Sequence, residues 1–111
     1  MIRERFQKAI EIINKNDRGG FTVPTSKLYP HQWNWDSAFT ALGISTYNKI
    51  RAWQELILLI RAQWKNGMIP HIIFHENNPN YFPGPNHWHI KSNANTSCHS
   101  QPPVLASIIW D

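Results

Sequence analysis

The sequence has a single cysteine, Cys98, among its 111 residues. An internal disulfide is therefore impossible, and so few cysteines are typical of a protein in a reducing compartment. The longest apolar run, Leu56 to Ile60, is far shorter than the roughly 20 residues that span a bilayer. The N-terminus also lacks the continuous apolar segment of a signal peptide. These absences predict a cytoplasmic protein with no membrane partner.

The chain also lacks a large net charge. The sequence contains 11 Lys and Arg residues and 7 Asp and Glu residues, for a formal net charge of +4. The cations are scattered over predicted helix surfaces, whereas nucleic-acid-binding proteins concentrate them in a patch or stripe. We therefore expect no nucleic-acid partner.

The histidines and the cysteine lack the paired spacing that zinc sites usually show. Three residues separate His71 from His75, a His-Trp-His run occupies residues 87–89, and a Cys-His pair occupies residues 98–99. We expect no metal and no cofactor. His71 is instead interpreted as a hydrogen-bonding residue in a cleft.

Apolar periodicity predicts an all-α chain with four helices. Two tryptophans, Trp53 and Trp64, fall on the apolar stripe of the third helix and are predicted to be core residues. Because residues 104–111 begin a helical pattern that is cut short, we expect residues 1–111 to be an N-terminal fragment of one truncated domain. The predicted helices cover residues 2–16, Trp35 or Asp36 to Tyr47, about Ile50 to Trp64, and Pro102 or Pro103 onwards.

Two long loops, residues 17–34 and 68–100, separate these helices. Residues 68–74 look extended, and about 25 residues without a regular period follow; loops of that length are usually functional or disordered. Because neighbouring helices tend to pack antiparallel, both loops should emerge at the same end of the helix layer. The two loops are therefore predicted to share one face.

The first loop ends in the motif YPHQWNWDS, residues 29–37, which combines aromatic rings with short polar side chains. Aromatic rings supply flat apolar faces for a sugar ring, and amide and carboxylate groups pair with its hydroxyls. The motif therefore predicts a sugar-binding surface. Asp36 has two interpretations: an N-cap whose pKa is lowered by the helix N-terminus, or an acceptor of sugar hydroxyls.

Tyr81 and Gln101 each have two possible roles. Tyr81 begins the stiff segment YFPGP, residues 81–85, which could hold a ring over a cleft or be a surface loop pinned by Phe82. Gln101 precedes the fourth helix and is either an ordinary helix-start residue or a sugar ligand, of which we favour the ligand.

Four segments resemble, in the same order, the six-hairpin glycosidases of glycoside hydrolase family 63, most closely the bacterial mannosylglycerate and glucosylglycerate hydrolases. The resemblance implies an (α/α)6 toroid, of which this chain would form about two of the six helical hairpins. Its second and fourth helices would then be inner helices. The segments are residues 29–43, 66–75, 81–85 and 96–103.

The resemblance also implies roles for individual residues. Tyr81 matches a tyrosine on a mobile loop that closes on the substrate. The catalytic acid and base would come from later hairpins, so no catalytic residue is expected here. In keeping with this, Glu4, Glu11, Asp17 and Glu55 are predicted on or beside outer helix faces. The expected substrate-binding residues are Tyr29, Gln32, Trp35, Asp36, His71, Tyr81 and Gln101.

The implied activity is inverting hydrolysis of a small α-linked sugar conjugate such as mannosylglycerate or glucosylglycerate. Two alternatives stay open at this point. One is a processing or trehalase-like α-glucosidase of the same fold, and the other is a noncatalytic carbohydrate-binding module.

Overall fold

The architecture was obtained from a computed structural model, which describes residues 1–88 and 95–110. Two residues that enter the sequence predictions, His89 and Asp111, lie outside the described residues. The described part is mostly helical, which confirms the predicted all-α class in its coarse form. Its elements are α1 (Ile2–Asn16), β1 (Gln32–Trp33), α2 (Asn34–Ser45), α3 (Lys49–Arg61), β2 (Ile72–Ile73), a 3-10 turn (Pro85–Trp88) and α4 (Leu105–Trp110).

Helix α1 has the bounds that its apolar period predicted, but it packs loosely. None of its residues is fully buried, and only Ile13 lies against the core. Phe6 meets Tyr47 edge-on, with ring centroids 6.1 Å apart. Within the described residues, most of the apolar stripe on α1 is therefore exposed.

Helices α2 and α3 form a tight antiparallel hairpin around the main core. Alanines at positions 38, 41 and 52 are almost fully buried, so the two backbones can approach closely. Asn48 caps α3, because its side chain accepts a hydrogen bond of 3.0 Å from the backbone N–H of Arg51. Leu105 of α4 is buried in the same cluster.

The predicted bounds of α2, α3 and α4 are wrong by a few residues, and α2 also ends at Ser45 rather than at Tyr47. Helix α2 starts at Asn34, and its N-cap residue is Trp33, whose side chain has no acceptor for a cap. The Asn34 amide instead donates to the carbonyls of Ile69 and Pro70. Helix α3 stops at Arg61. Helix α4 starts after the two prolines, since a residue that precedes proline is disfavoured in the α region.

A two-stranded antiparallel sheet joins the two long loops. Gln32 pairs with Ile73 and Trp33 pairs with Ile72, and a further bridge links Ile73 to Thr96. The extended segment was predicted, but its pairing with the 29–37 motif was not. The sheet places the motif directly beside the residues around His71, so the two loops converge.

Two predictions about α3 are wrong. Trp53, predicted as a core residue, is 47% exposed, whereas Glu55, predicted on an outer face, is 0% exposed. The reason is positional, because Glu55 lies three residues after Ala52 and four before Leu59, on the buried stripe of the helix. Trp64 is partly buried and donates its indole N–H to Thr96 over 3.0 Å.

Among the described residues, no helix combines the length and apolarity that a membrane crossing requires.

Candidate functional site

An aromatic cluster lies where the two loops meet. Trp33 is its centre, with edge-on contacts to Tyr29 at 5.3 Å and to Tyr81 at 5.4 Å between ring centroids. His31 also contacts Tyr81, at 5.3 Å, and Phe74 at 4.8 Å. We call these five residues the aromatic cluster. Two predicted site residues, Tyr29 and Tyr81, are thus brought together through Trp33.

Trp33 and His31 were not among the predicted site residues. A signal was present, because side chains on an extended segment alternate between faces. Residues 29, 31 and 33 therefore share one face, and all three belong to the aromatic cluster. Burial, and to a smaller extent the nearby Tyr29, raises the pKa of the Tyr81 hydroxyl. That hydroxyl therefore stays protonated near neutral pH and can donate a hydrogen bond.

Gln32 points to the opposite face and is completely buried. Its Nε2 donates to the backbone carbonyl of Glu55 over 3.1 Å, and its Oε1 lies 2.7 Å from His75 Nε2. Both ends of the amide are thus engaged within the chain. The structure does not place Gln32 on the surface formed by the aromatic cluster, so its predicted role as a ligand is replaced by a supporting one.

His75 is held in a defined orientation by this contact. Since Gln32 uses its amino group for Glu55, its oxygen must accept a hydrogen bond from the N–H at His75 Nε2. The imidazole also stacks on Phe21, with ring centroids 4.0 Å apart. Burial, assisted by the nearby His31, lowers the pKa of His75.

Asp36 and Trp35 lie in the first turn of α2. Trp35 is 41% exposed, and its ring meets that of Phe39 edge-on, with centroids 6.2 Å apart. Burial raises the pKa of Asp36 despite a hydrogen bond from its own backbone N–H. The expectation that the helix N-terminus lowers this pKa is therefore wrong, because the cost of desolvating the carboxylate exceeds the benefit of that N–H.

Gln101, which is distant in sequence, also contacts the N-terminus of α2. Its Oε1 accepts a 3.0 Å hydrogen bond from the backbone N–H of Trp35, one of the groups that a helix N-terminus leaves without a partner. The amino group of Gln101 is then the part of this side chain that can serve a ligand. Gln101 therefore connects the segment before α4 to the start of α2.

His71 is fixed beside the same turn by its backbone. Its carbonyl accepts from the N–H of Asn34 over 2.9 Å, and its own N–H donates to the carbonyl of His99 over 2.8 Å. The His71 and His99 rings stack at 4.0 Å. Burial, together with the charge of His99, lowers the pKa of His71 to about 4. His71 is thus a neutral hydrogen-bonding group near pH 7.

Few of the acidic side chains in the described part of the chain lie at the converging loops. Glu55 and Asp17 both bind Arg51 in an internal network, which leaves Asp36 and the exposed Glu76 near the converging loops. Within residues 1–88 and 95–110, no group of three or more His, Cys, Asp or Glu side chains is placed to hold a metal ion.

A family model, the mannosylglycerate hydrolase MGH1-like glycoside hydrolase domain, matches residues 29–111. The chain belongs to this glycoside hydrolase family. All seven predicted substrate-binding residues fall within the matched range, and α1 precedes it.

Characterised relatives agree with the family assignment. The chain is 50% identical over 105 residues to the mannosylglycerate hydrolase of Thermus thermophilus, which covers 92% of this chain and 25% of the relative. It is 43% identical over 106 residues to the glucosylglycerate hydrolase of Mycolicibacterium hassiacum, covering 89% and 24%. The chain therefore spans about a quarter of the length of these relatives.

A solved structure gives the same result for the fold. The crystal structure of a family 63 mannosylglycerate hydrolase from Thermus thermophilus, in complex with Tris and D-glycerate, superposes with a TM-score of 0.85 at 51% sequence identity. The match covers 93% of this chain and 24% of that one. The backbone of this chain thus has the same fold as about a quarter of that hydrolase.

Proposed function

We propose that the protein containing this chain hydrolyses the α-glycosidic bond of a small sugar conjugate, with mannosylglycerate and glucosylglycerate as the leading candidates. The observation that carries the proposal is structural. In a chain of this hydrolase family, an aromatic cluster centred on Trp33 is followed directly by the first turn of α2, which carries the exposed Trp35 and the Asp36 carboxylate. The names of the relatives supply the two candidate substrates.

The chain is proposed to be the N-terminal part of one (α/α)6 catalytic domain, contributing about two of its six hairpins. An open apolar groove between α2, α3 and α4 supports this, because Leu42, Trp53 and Ile109 line it and Trp53 is half-exposed. Exposed apolar grooves of this kind usually contact another part of a protein. Further helices of the same domain would cover it.

Within the proposed cleft, binding is divided between apolar and polar groups. Trp35 offers its ring face to the sugar, and Tyr29 and Tyr81 close over it from the aromatic cluster. Asp36 accepts from sugar hydroxyls, because a carboxylate has about four acceptor positions and one backbone N–H uses few of them. His71 and the amino group of Gln101 add neutral hydrogen bonds.

The acid and base are proposed to come from outside residues 1–111, and the mechanism to be inverting. An inverting glycosidase needs two carboxyl groups roughly 6.5 to 9.5 Å apart, with a water between them. Asp36 is proposed to bind the sugar rather than to supply this chemistry, and two of the other carboxylates are already committed to the internal network around Arg51.

The full-length protein should be incubated with mannosylglycerate, glucosylglycerate, trehalose and long α-glucans, with the first anomer released followed by NMR. We expect cleavage of a glycerate conjugate with inversion. Cleavage of trehalose or long glucans alone would refute the small-conjugate proposal. Binding of sugar without any cleavage would indicate a noncatalytic carbohydrate-binding protein.

A further inference from the structure

We infer, on the basis of the proposed function, that Glu55 is a positioning residue for the sugar-binding segment, defined here as residues 33–36. Glu55 lies on α3 and is 0% exposed, so it does not meet the substrate. It acts by holding the residues on both sides of that segment.

The Glu55 carboxylate accepts four hydrogen bonds. Oε1 accepts from the Ser37 hydroxyl at 2.6 Å and from the Thr22 backbone N–H at 2.8 Å. Oε2 accepts from the Thr22 hydroxyl and from Arg51 Nη1, both at 2.9 Å. The backbone carbonyl of Glu55 accepts from Gln32 Nε2 at 3.1 Å. One residue thus binds the chain at positions 22, 32 and 37.

Two of these bonds bracket the sugar-binding segment. Gln32 immediately precedes Trp33, and Ser37 immediately follows Asp36; both are almost completely buried. Because adjacent side chains on a strand point to opposite faces, anchoring Gln32 on one face directs Trp33 to the other face, where it is buried in the aromatic cluster. Anchoring Ser37 in the same way fixes the first turn of α2, where Asp36 lies.

A purely structural role explains the residue type poorly. Glu55 occupies the buried stripe between Ala52 and Leu59, where an apolar side chain would complete the core. A buried carboxylate must be desolvated, and a buried ion pair is often no more stabilising than apolar residues of similar volume. Arg51 offsets the charge here, and it is itself held by Asp17 at 2.9 Å. What the carboxylate adds is direction, since its two oxygens fix four donors that belong to three residues.

Small displacements matter in a binding cleft. A shift of about 1 Å in a positioned group can lower the rate by about 100-fold. Loss of the Glu55 carboxylate should therefore reduce kcat/KM much more than an equally destabilising change elsewhere in the core.

The test uses the full-length protein with Glu55→Leu, Glu55→Gln and Ser37→Ala, and Leu59→Ala as the matched control. Leu59 lies one turn further along α3 and is fully buried, but it belongs to the apolar core and not to this network. All variants are assayed on the preferred glycerate conjugate, well below their melting temperatures.

We expect Glu55→Leu to lose about 100-fold in kcat/KM, and Leu59→Ala to stay within about 3-fold of wild type. Glu55→Gln should recover most of the activity, because its amide oxygen can still accept from Ser37 and Thr22. Adding Ser37→Ala to Glu55→Leu should cause little further loss, since the bond is already absent.

Equal losses of kcat/KM in Glu55→Leu and Leu59→Ala, at similar melting temperatures, would overturn the inference. If Glu55→Leu does not fold, Ser37→Ala decides in its place, and activity like that of wild type overturns the inference too. An inactive wild-type protein would instead refute the proposed function, and this inference with it.

Discussion

Replacing Asp36 with asparagine should make the protein more stable and less active. The raised pKa of Asp36 means that folding disfavours its charged form. From pH 3.8 up to the raised pKa, the native state holds a proton that the unfolded state has released. Stability therefore falls as the pH rises through this window, and the penalty persists at neutral pH. Asparagine has nearly the same shape and removes that penalty.

The expected loss of activity follows from the hydrogen bonds that a carboxylate makes. A hydrogen bond to a charged group contributes about 1.5 to 3 kcal/mol and a neutral one about 0.5 to 1.5 kcal/mol. Two sugar hydroxyls bound by Asp36 would thus lose about 2 to 3 kcal/mol in Asp36→Asn, or roughly 30- to 150-fold in kcat/KM. Asp36→Ala should lose more, because it removes both acceptors.

Both quantities can be measured on the full-length protein. Thermal unfolding at pH 7 and at pH 4 should show that Asp36→Asn raises the melting temperature more at pH 7. Kinetics on the preferred conjugate should show the lower kcat/KM, with both limbs of the pH profile in place. Disappearance of one limb would mean that Asp36 is the catalytic acid or base. A lower melting temperature with unchanged kcat/KM would refute the reasoning entirely.

Three other predictions concern single residues. The pKa of His71 is about 4 in the folded protein and about 6.5 in the unfolded one, so the free energy of unfolding should decrease as the pH falls through this window. In His71→Gln, urea unfolding measured at several pH values should show a smaller decrease there. Trp53→Ala should cost about 3 to 5 kcal/mol in the full-length protein if later helices cover the groove, and much less if Trp53 stays half-exposed there. Trp35→Ala should raise KM by roughly 2- to 10-fold through the lost aromatic platform, whereas an unchanged KM would exclude Trp35 from the cleft.

The parts of the fold that were predictable are those set by local periodicity. Helix α1 has its predicted bounds because its apolar residues recur every three or four positions and Gly19 and Gly20 follow, both at positive φ. The pairing of Gln32 with Ile73 depends on two segments far apart in sequence, so local pattern could not reveal it.

The candidate site was predictable in its composition but not in its orientation. The 29–37 motif indicated the residue types, yet Gln32 lies on the face opposite the aromatic cluster and Trp33 lies at its centre, because adjacent side chains on a strand point to opposite faces. Glu55 is buried although its charge favours an exposed helix face, because it lies between Ala52 and Leu59 on the buried stripe of α3. The direction of the Asp36 pKa shift depends on how much of the carboxylate is buried, and sequence alone does not supply that.

A crystal structure of the full-length protein with bound mannose or glucose would test the central claim most directly. The account predicts a sugar ring against Trp35, with a hydroxyl within hydrogen-bonding distance of the Asp36 carboxylate and another near His71. A sugar bound elsewhere, with Trp35 and Asp36 covered by side chains from the rest of the protein, would contradict it.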